Sequence, residues 1–133
     1  MEAGAHSPNS PHDPSPCVLI IFRRPPYGSV MAAEGLRMAQ ALLAFQVPLK
    51  VVFTEDGVFC LLKGQGKGAL DMGDLGTAFA GLEAMGLPQL MVVKEDLDSR
   101  GLSSGDLVQA PVMTINACHL RKLIDEAKVV IPF

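Results

Sequence analysis

Short, nearly continuous apolar runs constrain most strongly how this sequence can fold. The run Cys17–Phe22 (CVLIIF) is apolar throughout and β-branched in its middle, which is typical of a strand covered on both faces. Because proline donates no backbone hydrogen bond, Pro132 predicts that the last strand is an edge strand or ends there. We predict five strands, which are Cys17–Phe22, Leu49–Phe53, Gln89–Val93, Val112–Asn116 and Val129–Phe133.

Helical segments separate the predicted strands. They are Val30–Phe45, Glu55–Leu62, Gly73–Met85, a helical turn within Lys94–Val108, and Ala117–Ala127. This alternation predicts an α/β fold, with a three-layer, mostly parallel five-stranded sheet and helices on both faces. Functional residues of such sheets gather at the carboxyl ends of the strands, where we expect strands three and four to be neighbours.

Residues 1–16 differ in composition from the rest of the chain. They hold four of the ten prolines and almost nothing to bury, which predicts a disordered tail before one folded domain at 17–133. No apolar run approaches the roughly 18 residues of a membrane-spanning helix. No secretory signal is recognisable either, so we expect a cytoplasmic protein that does not enter a membrane.

Charge and hydropathy narrow the classes of partner. The net charge is −3 without a basic cluster, and the chain has one Tyr and no Trp. It therefore lacks both the basic stripe and the stacking platform of a protein that binds nucleic acid directly. Apolar residues make up 49% of the chain and its mean hydropathy is +0.31. We expect some of this apolar surface to be buried against another subunit.

The three cysteines are candidates for reactive residues. They are widely spaced and form no CxxC pair, which predicts reduced thiols and no metal site. We expect no other cofactor either. Cys118 lies in the first turn of the last helix, where backbone amides stabilise a thiolate; the alternative, which we favour, is a small, buried, inert packing residue. Cys60 is the second candidate, with core packing as the favoured interpretation. Cys17 opens the first strand and is given no function. His119 points about 100° away from Cys118 on the helix and forms no obvious dyad with it.

Loops at the carboxyl ends of the strands define the expected pocket. The Arg23–Ser29 loop sets two arginines beside a helix N-terminus, an arrangement that suits an anion. The alternative, which we favour, is a rigid surface turn in which Ser29 caps the helix. The residues expected at this pocket are Arg23, Arg24, Tyr27, Gly28, Ser29, Val93 and Asn116.

The remaining polar motifs are weaker. The Gly64–Gly68 run fits neither GxxxxGK[ST] nor GxGxxG, and a mobile surface loop is the favoured interpretation over a phosphate site. No Ser/His/Asp set emerges. Acidic residues on the predicted loops, which are Asp56, Glu95, Asp96 and Asp98, are interpreted as solvated surface groups.

Four stretches together carry a family resemblance. Pro26–Ser29 forms a small loop before the first helix, and Phe53–Gly64 (FTEDGVFCLLKG) combines an acidic residue, GVF, a variable residue, LL and a glycine. Leu97–Leu102 (LDSRGL) reads Leu-x-x-Arg-Gly-Leu, and Val129–Phe133 is an apolar ending. In this order and spacing, over about residues 17–133, they resemble the DsrE/DsrF/TusC family, specifically its TusC/DsrF branch. The resemblance implies a DsrE/F-like fold of the flavodoxin/Rossmann-like kind.

The resemblance also implies a role in sulfur relay, in which persulfide passes between cysteines of successive proteins for tRNA thiolation or sulfur oxidation. In the family's active DsrE/TusD-type subunits, the cysteine lies just after strand three. Counting back from Arg100 places Val93, or a neighbour, at that position, and valine cannot carry a persulfide. We therefore expect a structural or docking subunit, not the main sulfur carrier. Its partners would be DsrE/TusD-like subunits or further copies of itself.

Two alternatives stay open. One is a small stand-alone sulfurtransferase that acts through Cys118. The other is a nucleotide-binding module, which rests on the fold and on the Gly64–Gly68 run alone. Thiol reactivity confined to Cys118 would favour the first alternative.

Overall fold

A computed structural model describes residues 17–64 and 75–133. The predicted tail at 1–16, most of the Gly64–Gly68 run and the first residues of the helix predicted from Gly73 lie outside the described residues. Within these two ranges, no helix is both long enough and apolar enough to cross a membrane.

The strands form one parallel sheet. Its order is β4-β3-β2-β1-β5, and all four pairings are parallel. This confirms the predicted sheet, sets β3 beside β4, and places β5 at an edge next to β1. The strands are β1 (Val18–Phe22), β2 (Leu49–Phe53), β3 (Leu90–Val93), β4 (Val112–Ile115) and β5 (Val129–Pro132).

Helices connect the strands in the predicted places. Asn116, predicted to end strand four, instead precedes α4 as its cap residue. The predicted helix Gly73–Met85 is divided in its described part, because α2 changes at Gly81 into a 3₁₀ helix that ends before Gly86, at φ 111°. The α-helices are α1 (Met31–Ala44), α2 (Leu75–Ala80), α3 (Lys94–Ser99) and α4 (Ala117–Glu126); the 3₁₀ helices are Glu55–Leu61, Gly81–Met85 and Ser104–Asp106.

The larger core lies between the sheet and the side formed by α1, α2 and the 3₁₀ helix Glu55–Leu61. Phe22, at the end of β1, stacks on Phe53 with ring centroids 5.0 Å apart and meets Phe79 edge-on at 4.8 Å. Gly35 lets α1 approach this cluster, because a Cβ there would collide with the Phe22 ring. Full burial of each such ring contributes about 1.5–3 kcal/mol.

The smaller core lies on the opposite face of the sheet. Side chains of β1 and β2, including Leu19, Ile21 and Val52, pack there with Leu123 of α4. Helices therefore cover both faces, and the predicted three-layer arrangement is confirmed.

Candidate functional site

The carboxyl ends of β2 and β3 are joined by one carboxylate. Asp96, in α3, accepts a hydrogen bond from the Thr54 hydroxyl at 2.6 Å and another from the Glu55 backbone N–H at 2.8 Å, both on Oδ2. Glu55 has a φ of 52°, a left-handed conformation that is unfavourable for a residue with a Cβ. The Asp96 hydrogen bond therefore helps to hold the start of the 3₁₀ helix Glu55–Leu61 in an otherwise unfavourable geometry.

Arg100 adds a second link between the same two segments. Its Nε donates to Asp56 Oδ1 at 3.0 Å, and its Nη1 donates to the backbone oxygen of Asp96 at 3.2 Å and lies 3.6 Å from Asp96 Oδ1. We call these contacts the clasp, with Thr54, Glu55 and Asp56 on one side and Asp96 and Arg100 on the other. The TEDGVF and LDSRGL stretches that carry the family resemblance therefore meet in space.

Gly57 brings the 3₁₀ helix against the end of β1. A Cβ at this position would collide with the carbonyl oxygen of Phe22, a backbone atom that cannot move without moving the strand. The glycine of the GVF motif is thus required by close backbone approach.

Val93 is the position at which the resemblance places the family's cysteine. It is the last residue of β3 and is 3% exposed, and its side chain packs with Ile115 and Leu123 beneath α4. A side chain in this orientation is part of the smaller core and does not line an open crevice.

The N-terminus of α4 is occupied by two side chains. Asn116 Oδ1 accepts from the His119 backbone N–H at 2.7 Å, and Glu95 Oε2 accepts from the Ala117 backbone N–H at 3.1 Å. Cys118 is exposed in this first turn, so the favoured interpretation of a buried packing residue was wrong. The described residues that line a shallow concavity beside it are Cys118, His119, Arg121, Lys122 and Asp125. Cys118 is therefore accessible, and a carboxylate already occupies one amide of the helix terminus beside it.

Cys60 is enclosed, in keeping with the favoured core interpretation. Its side chain has no exposed surface, and its thiol donates to the backbone oxygen of Arg24 at 3.5 Å. Burial raises the pKa of the Cys60 thiol from 9.0 to about 12, because the charged thiolate is poorly solvated there. Cys17 is also buried.

The Arg23–Ser29 loop has the character of a surface turn. Arg23 Nε lies 3.3 Å from Glu55 Oε2, with both side chains more than half exposed. Gly28 has a φ of 96°, and Tyr27 packs against the larger core. Ser29 Oγ accepts from the Met31 backbone N–H at 3.3 Å, close to its predicted capping role, although Val30 holds the cap position.

The interpretation of every acidic loop residue as a solvated group was wrong for Asp96. Its side chain is 23% exposed and makes the central bonds of the clasp. Asp96 and Arg100 are four residues apart on a helix that follows β3, and Thr54 follows β2 directly. Because neighbouring parallel strands end at the same edge, this spacing could have indicated their proximity. No comparable sequence feature indicated the hydrogen bond that Glu95 accepts from the Ala117 backbone N–H.

Among residues 17–64 and 75–133, no group of three or more His, Cys, Asp or Glu side chains is placed to hold a metal ion. The Gly64–Gly68 run, on which a nucleotide site would depend, lies largely outside these ranges.

Comparisons with known proteins found relatives over most of the chain. The model of the DsrE/DsrF-like family matches residues 17–133. The chain is 27% identical to the intracellular sulfur oxidation protein DsrF of Allochromatium vinosum, over 86% of this chain and 94% of that protein. It is 34% identical to the TusC homolog of Pseudomonas aeruginosa, over 83% of this chain and 92% of that protein.

Solved structures share the fold. The YchN protein of E. coli superposes with a TM-score of 0.75 at 25% identity, covering 89% of this chain and 99% of that chain. A protein of unknown function from Methanobacterium thermoautotrophicum, MTH1491, gives a TM-score of 0.64 at 13% identity, which shows likeness of fold alone.

Proposed function

The chain belongs to the DsrE/DsrF-like family, and from that premise we propose that it is a structural or docking subunit of a sulfur-relay assembly and not the main carrier of sulfur. The observation that carries this proposal is the burial of Val93 at the position where active subunits of the family have their cysteine. A valine packed under α4 offers neither a nucleophile nor an opening through which a partner's persulfide could reach one.

The clasp supports the same proposal. In a doubly wound sheet, the crevice at the carboxyl ends of the strands is the usual place for a ligand. Here the chain's own Asp96 and Arg100 side chains link the ends of β2 and β3. Such cross-links suit a rigid body that is presented to a partner.

Exposed apolar side chains support a role in assembly. Phe45, at the end of α1, is 84% exposed, and Met38 on the same helix is 39% exposed. Met85 is 40% exposed. Large apolar side chains left in water are typical of surfaces that other subunits cover. The proposed partners are DsrE/TusD-type subunits or further copies of this chain.

The proposed pathway is tRNA thiolation, which the family resemblance implies, or sulfur oxidation, which the name of the DsrF relative states. We place the assembly in the cytoplasm, since the three widely spaced cysteines form no CxxC pair and are predicted to be reduced thiols. The net charge of −3 argues against direct contact of this subunit with nucleic acid.

Co-expression with a DsrE/TusD-type subunit from the same genome tests the proposal. Size-exclusion chromatography with light scattering should show co-elution in a complex, and a Phe45→Ser variant should weaken it if α1 lies in the interface. The Arg37→Ser variant, on the exposed side of the same helix, is the matched control. A 14.1 kDa monomer with and without the partner contradicts the docking role.

A second candidate function, sulfur transfer through Cys118, rests on one observation. The thiol is exposed, and Arg121 and Lys122, three and four residues further along α4, line the same concavity. Basic side chains at this spacing lie on the same side of the helix as the thiol. A Cys118→Ser variant that loses sulfur transfer to a partner would support this candidate, and one that retains it would exclude it.

A further inference from the structure

Cys60 is shielded by a short element, whose Val58 and Leu61 side chains pack with it in the larger core. It belongs to the 3₁₀ helix Glu55–Leu61, and its thiol donates to the Arg24 backbone oxygen in the adjoining loop. A reagent can reach the sulfur only when this helix or that loop moves, because the side chain has no exposed surface. Hydrogen bonds in a 3₁₀ helix are poorer than those in an α-helix, so the helix needs external support.

The external support at the start of the helix is the clasp. Asp96 bonds the Thr54 hydroxyl and the Glu55 N–H, and Arg100 pairs with Asp56. The left-handed conformation of Glu55 is unfavourable for a residue with a Cβ, and the hydrogen bond from its backbone N–H to Asp96 stabilises it. Without Asp96, the buried Thr54 hydroxyl would also lose its partner.

The end of the helix is held differently. Leu61 accepts a backbone hydrogen bond from Val108 at 2.8 Å, and Asp106 accepts one from Lys63 at 3.1 Å. These bonds do not depend on the clasp. Loss of the clasp therefore removes the hydrogen bonds at the start of the helix and leaves those at its end in place.

The strands beneath are held far more strongly. β1 and β2 each pair with a strand on both sides, so exposing them requires the sheet to separate. Opening the 3₁₀ helix breaks fewer hydrogen bonds than separating the sheet, and it also requires Val58 and Leu61 to leave the larger core. We propose that the clasp is a lock on the Cys60 thiol, whose release lets the 3₁₀ helix Glu55–Leu61 open locally and exposes Cys60 while the sheet stays folded.

This inference goes beyond the proposed function, which assigns no role to Cys60. It describes a cryptic thiol that is unreactive while the clasp is closed and becomes available to thiol-reactive molecules when the clasp is released. A docking subunit and a sulfurtransferase could each contain such a lock, so the two proposals fail separately.

The three cysteines allow the lock to be tested within one molecule. Iodoacetamide labelling is followed residue by residue by mass spectrometry, with exposed Cys118 reporting intrinsic reactivity and buried Cys17 reporting openings elsewhere. In the Asp96→Ala variant we expect Cys60 to be labelled about ten- to a hundredfold faster, the factor that corresponds to losing hydrogen bonds to a charged acceptor. Cys17 and Cys118 should be labelled at unchanged rates.

Asp98→Ala is the matched control, because Asp98 lies on the same helix and contacts Lys94 outside the clasp. It should leave all three rates unchanged. Arg100→Gln provides a milder variant if Asp96→Ala folds poorly. We expect it to accelerate Cys60 labelling about two- to fivefold, because exposed ion pairs of this kind contribute little.

Urea distinguishes local opening from global unfolding. Labelling of Cys60 through the lock should depend on urea less steeply than global unfolding does, because opening one short helix exposes less surface than unfolding the whole domain. The proposal is overturned if Cys60 labelling rises with urea as steeply as global unfolding does. It is also overturned if Asp96→Ala and Asp98→Ala label Cys60 at the same rate.

Discussion

The guanidinium group of Arg100 donates to the carboxylate of Asp56 across 3.0 Å, although 44 residues separate them in the sequence. This contact joins the segment that follows β2 to the segment that follows β3. Two stretches that resemble the family separately are therefore one structural unit, and the backbone around Gly57 and the carboxylate of Asp96 complete it.

Gly57→Ala should destabilise the fold more than its small size suggests. The new Cβ would meet backbone atoms of Phe22, and we expect the free energy of unfolding to fall by about 1–3 kcal/mol, as for an overpacked core. Gly81→Ala is the control, because a Cβ there has open space and alanine favours a helix by up to about 1 kcal/mol. Urea unfolding measures both. Equal effects of the two substitutions would contradict the close approach at Gly57.

Val93→Cys should not create a reactive thiol in the isolated folded chain. The new sulfur would lie beside Ile115 and Leu123, where Val93 is 3% exposed. We expect labelling by iodoacetamide to be far slower than at Cys118 in the same sample. The free energy of unfolding should fall by about 0.5–1.5 kcal/mol, the usual effect of removing one buried methyl group. Labelling as fast as that of Cys118 would show that this position opens onto the crevice.

The Cys60 thiol should make stability fall in alkaline solution. Its pKa is raised by burial from 9.0 to about 12, so the folded chain keeps a proton that the unfolded chain releases. Below pH 9.0 the buried, protonated thiol makes its full contribution to the free energy of unfolding. This contribution decreases by about 1.4 kcal/mol per pH unit as the pH rises from 9.0 towards about 12. Urea unfolding of wild type and Cys60→Ala should therefore converge above pH 9.0. Parallel stability curves would show that Cys60 is not the group responsible.

The fold could be predicted from the sequence because each strand is a short apolar run bounded by turn residues. Val18–Phe22 and Leu49–Phe53 needed little correction, since a buried strand must be apolar on both faces. The division at Gly81 and the capping role of Asn116 depend on local backbone geometry, which apolar periodicity does not report.

The candidate site was less accessible to sequence reasoning. The enclosure of Cys60 followed from its place on an apolar segment, whereas the exposure of Cys118 ran against the favoured interpretation of a buried packing residue. The partners of Asp96 did not, because they depend on which strands are neighbours and on the direction in which each helix leaves the sheet. The orientation of Val93 beneath α4 likewise required the register between β3 and β4.

Persulfide loading tests the central proposal most directly. The purified chain is incubated with a cysteine desulfurase and cysteine, beside a DsrE/TusD-type subunit as the positive control, and intact-mass spectrometry counts the sulfur atoms gained. The account predicts that the control gains one reducible sulfur while this chain keeps essentially its unmodified mass. Stoichiometric sulfur on this chain, removable by a reductant, would contradict a non-transferring docking subunit whichever cysteine carried it.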